Sequence, residues 1–238
     1  MIDSVIFDMD GLLVDTEPLW IVAMQEVLQT VDVTITPDQA VQTTGLRTVE
    51  VVDYWYDYFK WEGKTKEQVC REIMEAVSKQ VVSNGKTMQG LDYILDFFKE
   101  QKIKLGLASS SPVSFINLVL DHFGLRPYFA AVASAEHEPY GKPHPAVYLS
   151  CAKQLKSDPL NCLAFEDSIN GMIAAKAARM KDNDIDAIDI PSNAPPQFPA
   201  STNSADGSEP ERSDNSQRPC GIGSVRSRAS ALTPFNVM

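Results

Sequence analysis

Val5-Ile6-Phe7 runs straight into Asp8-Met9-Asp10-Gly11 near the start of the chain. No other stretch restricts the fold as strongly. Three apolar residues suit a buried strand, but carboxylates at its end are costly to bury unless something neutralises them. A hard cation such as Mg²⁺ does so, taking oxygen ligands and working with phosphate groups. Open α/β sheets collect their ligands beyond the carboxyl ends of the strands. The segment therefore predicts a metal-assisted phosphoryl site at the end of a buried parallel strand.

Further short apolar runs at 104–108, 130–133 and 162–165 read as buried strands beside the one at 4–7. Helical patterns separate them, which is the alternation of an α/β fold with a doubly wound parallel sheet. Ser111-Pro112 reads as an N-cap and first-turn proline for a helix from Val113 to Phe123. His144-Pro145 opens another helix, to about Leu155, and Ser168 caps a third, from Ile169 to Met180. Residues 15–88 depart from this alternation. They are mostly helical in pattern, aromatic between Tyr54 and Trp61, and carry no clear parallel-strand run. A helical insertion at the carboxyl end of the first strand would stand over the site as a lid, excluding water and supplying specificity. The expected division is a catalytic core at 1–14 and 89–190 and a helical cap at 15–88. Large apolar side chains are sparse beyond residue 190, and 191–238 reads as a disordered tail.

The formal net charge of −11 over 238 residues lacks the basic patch that nucleic acid or an anionic membrane would select. No apolar run approaches the roughly 20 residues that span a bilayer, and Met1-Ile2-Asp3-Ser4 lacks the start of a signal peptide. Cys70, Cys151, Cys162 and Cys220 are scattered, as expected of reduced thiols. The expectation is a cytoplasmic monomer with a small-molecule substrate.

Each predicted strand is followed by polar residues: Asp8 and Asp10, then Ser109-Ser110-Ser111, then Gly141-Lys142-Pro143, then Glu166-Asp167-Ser168. In a parallel sheet these ends share one edge. A carboxylate is a competent nucleophile toward phosphorus. A second carboxylate two residues on can protonate the leaving oxygen and then deprotonate water. Glu166 and Asp167 supply further ligands for Mg²⁺. Lys142 offers a point charge, and Ser109, with Ser110 beside it, short donors to the phosphoryl oxygens. Singly, such residues have bland readings: an Asp-x-Asp is a turn, a serine a cap, a lysine a solvated charge. Trp55, Tyr56 and Trp61 read as insertion core rather than a sugar platform.

Asp8-Met9-Asp10-Gly11, Ser109, Lys142 and Glu166-Asp167 stand in the order and spacing of the four motifs of the haloacid dehalogenase superfamily, which the chain resembles from about Ile2 to Met180. The run Asp8-Met9-Asp10-Gly11-Leu12-Leu13-Val14-Asp15-Thr16-Glu17-Pro18 is similar to its β-phosphoglucomutase-like branch, as are Leu107-Ala108-Ser109 and Gly141-Lys142-Pro143. The resemblance implies a Rossmann-like core with a small helical cap. It makes Asp8 the nucleophile and Asp10 the general acid and base. It places Mg²⁺ on the Asp8 carboxylate, the Asp10 backbone carbonyl and Asp167, with Glu166 nearby. It gives Ser109 and Lys142 the phosphoryl group, and Arg47 the distal part of the substrate. The implied activity is a Mg²⁺-dependent phosphatase on sugar or sugar-alcohol phosphates, of the hexitol phosphate or 2-deoxyglucose 6-phosphate type. A sugar-phosphate mutase shares these motifs, but the branch's mutases carry a histidine near position 20, where this chain has Leu19-Trp20. Two other readings stay open. A non-catalytic binding protein should have lost a motif residue, and none is lost. A chain with an altered carboxyl terminus would fold poorly, and residues 184–190 are an impoverished version of the strand that the resemblance leads one to expect there.

Overall fold

In the first strand, β1 (Ser4–Phe7), Val5 and Phe7 enter one hydrophobic cluster and Ile6 another. Successive side chains of a strand face opposite ways, so a strand buried on both sides must be apolar along its middle. β2 (Lys104–Ser109), β3 (Ala131–Ser134) and β4 (Cys162–Phe165) obey the same rule. With β5 (Lys181–Asp182) they form a five-stranded parallel sheet in the order β3-β2-β1-β4-β5. The computed structural model describes residues 2–182. The weak strand expected at 184–190 and the tail at 191–238 lie outside the described residues.

β2 and β3 each run one residue past the apolar stretch that predicts them, because Ser109 and Ser134 pair in register. β5 starts earlier than the weak strand read from sequence, with Leu163 opposite Lys181.

Helices cover both sheet faces. α5 (Leu91–Glu100) and α6 (Val113–His122) pack on the Val5 and Phe7 side. α7 (Ala146–Leu155) and α8 (Ile169–Ala177) pack on the Ile6 side. The helix starts partly follow the sequence rules. His144 Nδ1 accepts the Ala146 N–H, and Ser168 Oγ accepts the Gly171 N–H. Ser111 is not the cap of α6. Pro112 stands at that position, and Glu136 Oε2 accepts the Val113 N–H. α8 ends at Ala177, before the expected Met180, and Arg179 takes a left-handed φ of 64°.

Between β1 and α5 lies the helical insertion: α1 (Glu17–Gln29), α2 (Pro37–Ala40), α3 (Thr48–Phe59) and α4 (Lys66–Asn84). It has its own apolar cluster, in which Trp55 and Trp61 are buried and Tyr56 packs at the margin. Thr36 with Gln39 and Thr65 with Gln68 close reciprocal capping boxes at the starts of α2 and α4. The chain leaves and re-enters the sheet through paired segments, with Asp15 N–H donating to Lys86 O and Met88 N–H to Leu13 O. Both crossings thus lie beside the loop carrying Asp8 and Asp10. Among the described residues, no helix is long and apolar enough to cross a membrane.

Candidate active site

Asp8 ends the first strand, still tied to the ladder by its N–H to Phe165 O at 3.0 Å. Lys142 arrives on the loop after β3 and donates to Asp8 Oδ1 at 2.8 Å. The same ammonium binds Glu166 Oε1. Both residues are buried, with Lys142 at 2% and Glu166 at 3% exposure. Tyr148, from α7, donates its hydroxyl to Glu166 Oε1 at 2.6 Å. Glu166 Oε2 accepts from the backbone and hydroxyl of Ser168.

This arrangement sets the charges. Burial alone would lower the Lys142 pKa, but Asp8 and Glu166 outweigh it and hold the ammonium above its ordinary value. Burial pushes Asp8 well above the carboxylate range; Lys142 opposes the rise, and Glu166, Asp10 and Asp167 add to it. Asp167 is exposed, but its carboxyl sits beside Asp8 and Glu166, where water is partly excluded. That loss of water, then Glu166 and Glu17, raises it to about 7.

Asp10 is held from three sides. Thr16 Oγ1 and Trp20 Nε1 donate to Oδ1 at 2.6 and 2.9 Å, and Ser111 Oγ donates to Oδ2 at 3.0 Å. Gly11 turns the chain here with φ of 74°, and a Cβ on it would collide with the Asp167 carboxylate. A side chain at this position would push Asp167 away from Asp8.

Asp8, Asp10, Lys142 and Asp167 line one cavity together with Ser110 and Ser111. Ser109 is not on its wall; it is fully buried and its hydroxyl accepts the Ser111 N–H at 3.0 Å. Ser110 spends its hydroxyl on Gly45 O of the insertion, at 2.7 Å. Arg47 is not on the wall either. Its Nη2 meets Glu50 Oε1 at 2.6 Å, and Nη1 donates to Glu138 O and Ala135 O at 3.2 and 3.4 Å. The insertion's share of the wall includes Trp20, Ile21, Met24, Leu46, Val51 and Ile73, with threonines and Glu17 between them.

Sequence reasoning did not single out Thr16, Ser111 or Tyr148 as site residues, and treated Trp20 only as the absence of a histidine. Thr16 and Trp20 sit one turn apart at the start of α1, and that spacing was the available signal. Tyr148 left none, because its role depends on how α7 lies across the sheet.

Asp8, Glu166 and Asp167 offer oxygens that all lie within 4.8 Å of one another. One ammonium binds two of these three carboxylates, Asp8 and Glu166, and loss of water, with the neighbouring negative charges, raises Asp8 and Asp167. An oxygen-rich, under-neutralised cluster fits a hard divalent cation. Asp8 and Asp167 are the freer ligands, since both Glu166 oxygens already accept hydrogen bonds.

The chain matches the haloacid dehalogenase-like hydrolase family over residues 5–182. It is 45% identical over 179 residues to hexitol phosphatase B of Escherichia coli (strain K12), covering 75% of this chain and 81% of that protein. It is 30% identical over 187 residues to a fructose-1-phosphate phosphatase of the same organism, covering 79% of this chain and 95% of the relative. Among solved structures, the β-phosphoglucomutase of Clostridium difficile superposes with a TM-score of 0.69 at 27% identity, covering 76% of this chain and 83% of that one.

Proposed function

This chain belongs to the haloacid dehalogenase-like hydrolase family and is a phosphoric monoester hydrolase; we propose that it removes the phosphoryl group from small sugar or sugar-alcohol phosphates, hexitol phosphates foremost, through a phosphorylated Asp8. The observation that carries this reading is the meeting of Asp8, Asp10, Lys142 and Asp167 on one cavity wall opposite the insertion. The 45% identity to hexitol phosphatase B supports the substrate class.

The chemistry divides between the two aspartates. An Asp8 oxygen attacks phosphorus, and the bond from phosphorus to the sugar oxygen breaks, with its electron pair going to that oxygen. Asp10 gives this oxygen its proton. Water then attacks the phosphorylated Asp8 and passes its proton to Asp10, releasing inorganic phosphate and restoring both carboxyl groups. Lys142 stays charged and orients Asp8 while meeting the phosphoryl oxygens. Mg²⁺, which Asp8 and Asp167 would hold, supplies further positive charge for the phosphoryl oxygens.

Away from the aspartates, the cavity wall offers apolar side chains and threonines, with Glu17 the charged group among them. A neutral polyol suits that wall better than a second anionic group. The test is phosphate release across hexose, deoxyhexose and hexitol phosphates with Mg²⁺, with the organic product identified. The expected result is release of inorganic phosphate and the free polyol. An isomerised sugar phosphate as the main product would instead make the chain a mutase.

A further inference from the structure

Trp20 stands on α1, in the helical insertion, yet its indole Nε1–H reaches across the cavity edge to Asp10 Oδ1 at 2.9 Å. Its ring meets Phe115 of α6 edge-on, with centroids 5.5 Å apart. Thr16 supplies a second donor to the same oxygen at 2.6 Å. The other oxygen, Oδ2, has one protein partner among the described residues, the Ser111 hydroxyl at 3.0 Å.

The three partners are not equivalent. Serine and threonine hydroxyls can donate or accept, but an indole N–H can only donate. The oxygen that faces Trp20 must accept, and with two donors aimed at it Oδ1 is the poorer place for a hydrogen. Any proton on the Asp10 carboxyl belongs on Oδ2. Trp20 thus makes the two oxygens of one carboxyl chemically unequal.

We propose that Trp20 is the positioning residue for Asp10, fixing Oδ1 and reserving Oδ2 as the oxygen that delivers and retrieves the proton. This rests on the acid–base role assigned to Asp10 under the proposed function. In the first half-reaction the O–H bond at Oδ2 breaks and its proton joins the leaving oxygen, which has kept the electron pair of the cleaved bond to phosphorus. In the second, the attacking water returns a proton to Oδ2 as its own oxygen bonds phosphorus. Trp20 exchanges no atom in either step. Because Trp20 rides on the insertion while Asp10 sits on the loop after β1, this part of the acid–base group's alignment depends on the insertion being seated. A misplacement of about 1 Å in such a group can cost about a hundredfold in rate.

The alternative role for an aromatic ring on a cavity wall is to pack against the substrate, which changes binding rather than proton transfer. Trp20→Phe separates the two roles, since it keeps a ring against Phe115 and removes the donor. The experiment measures kcat and KM with Mg²⁺ for a series of substituted phenyl phosphates and one simple alkyl phosphate. For the alkyl ester, whose leaving oxygen needs a proton, kcat should fall about 10- to 100-fold. For p-nitrophenyl phosphate, whose leaving group departs as the anion, the first-turnover release of p-nitrophenolate, read by rapid mixing, should stay within about twofold, while steady-state turnover falls with the slower attack of water on phosphorylated Asp8. Trp20→His keeps an N–H donor and should recover part of the alkyl-ester rate. Equal losses in the first-turnover release of all leaving groups, a rise in KM at constant kcat, or a Trp20→Phe protein that loses activity only by unfolding would each overturn the proposal. Failure of the underlying phosphatase reading appears elsewhere, as wild-type protein that releases phosphate from none of these esters.

Discussion

The carboxyl edge of the sheet and the insertion face opposite it line one cavity with different chemistry. The sheet edge brings charge: Asp8, Asp10, Lys142 and Asp167, each on a loop that leaves a buried strand. The insertion brings apolar side chains, threonines, one indole and one carboxylate. The core of each region is as apolar as the other, so the difference lies only in the faces that meet. A reacting phosphoryl group needs fixed charge in a water-poor place, and the sheet edge provides the charge while the insertion limits the water. On the proposed function, reaction type belongs to the strand ends, and the choice of substrate and the alignment of Asp10 to the insertion.

The largest expected effect breaks the sheet edge alone. Asp8→Asn keeps the size of the side chain but removes the nucleophile, and turnover should fall by about 10⁴-fold or more. The fold should not suffer. Asp8 is a buried carboxylate whose pKa is raised by that burial, so replacing it with a neutral amide removes an unfavourable charge, and Lys142 keeps Glu166 as its partner. Phosphate release beside a thermal melt reads both quantities. Activity within about tenfold of wild type, a loss of only ~1.4 kcal/mol in barrier terms, would take the nucleophile away from Asp8 and the division of labour with it.

Removing Mg²⁺ with a chelator should also stop turnover and should leave a mark on stability. Asp167 is raised to about 7, and Asp8 is raised too, in the metal-free protein. Between the ordinary carboxylate pKa and about 7, the folded state holds protons that the unfolded state has released. Stability contributed by these groups is therefore full below the unfolded value and is lost as pH rises through the folded value. The metal-free protein should melt lower at pH 7 than at pH 5 relative to its other titrations. Added Mg²⁺ should restore the melting temperature at pH 7, and Asp167→Asn should flatten the pH slope and weaken the response to Mg²⁺. An unchanged slope in that variant would separate Asp167 from the cluster.

The sheet edge was legible in the sequence because strand and chemistry share one short signal: an apolar run, then polar residues. Two of the four strand runs, 4–7 and 162–165, end where the sequence says they do, and the other two miss by one residue because Ser109 and Ser134 extend the ladder. What stayed hidden depends on how distant elements lie on one another. Ser111 satisfies every local rule for a helix cap, but in the fold it faces Asp10 from 101 residues away in sequence, and the carboxylate wins its hydroxyl. Trp20 and Tyr148 are aromatic residues at helical spacing, a pattern that says only that they are buried. That each aims a donor at a carboxylate follows from the placement of α1 and α7 against the sheet. Arg47 shows the converse. The resemblance placed it at the substrate, and the tertiary contacts tie it to the insertion's seat on the core.

That seat gives the smallest and most discriminating test. Arg47 is joined to Glu50 within the insertion and to the carbonyls of Ala135 and Glu138 in the core. Its Nε lies so close to Gly141 that a Cβ there would come to 3.0 Å from it, and to 2.6 Å from Glu50 Oε2. Gly141 precedes Lys142, so the Arg47–Glu50 pair rests on the loop that carries the buried ammonium. Ser110 to Gly45 O and Asn170 to Thr44 O add two further links between insertion and core. An arginine that touched the substrate beyond its phosphoryl group would, on truncation, raise KM for a hexitol phosphate and spare a small aryl phosphate. An arginine that seats the insertion should affect both substrates alike. For Arg47→Ala the expected loss in kcat/KM is roughly 3- to 10-fold on each substrate, less than the value of one hydrogen bond to a charged group because the other links keep the insertion in place. The melting temperature should drop by a few degrees at most. A KM effect confined to the sugar phosphate would return Arg47 to the cavity and would mean that the insertion carries a positive charge to the substrate after all.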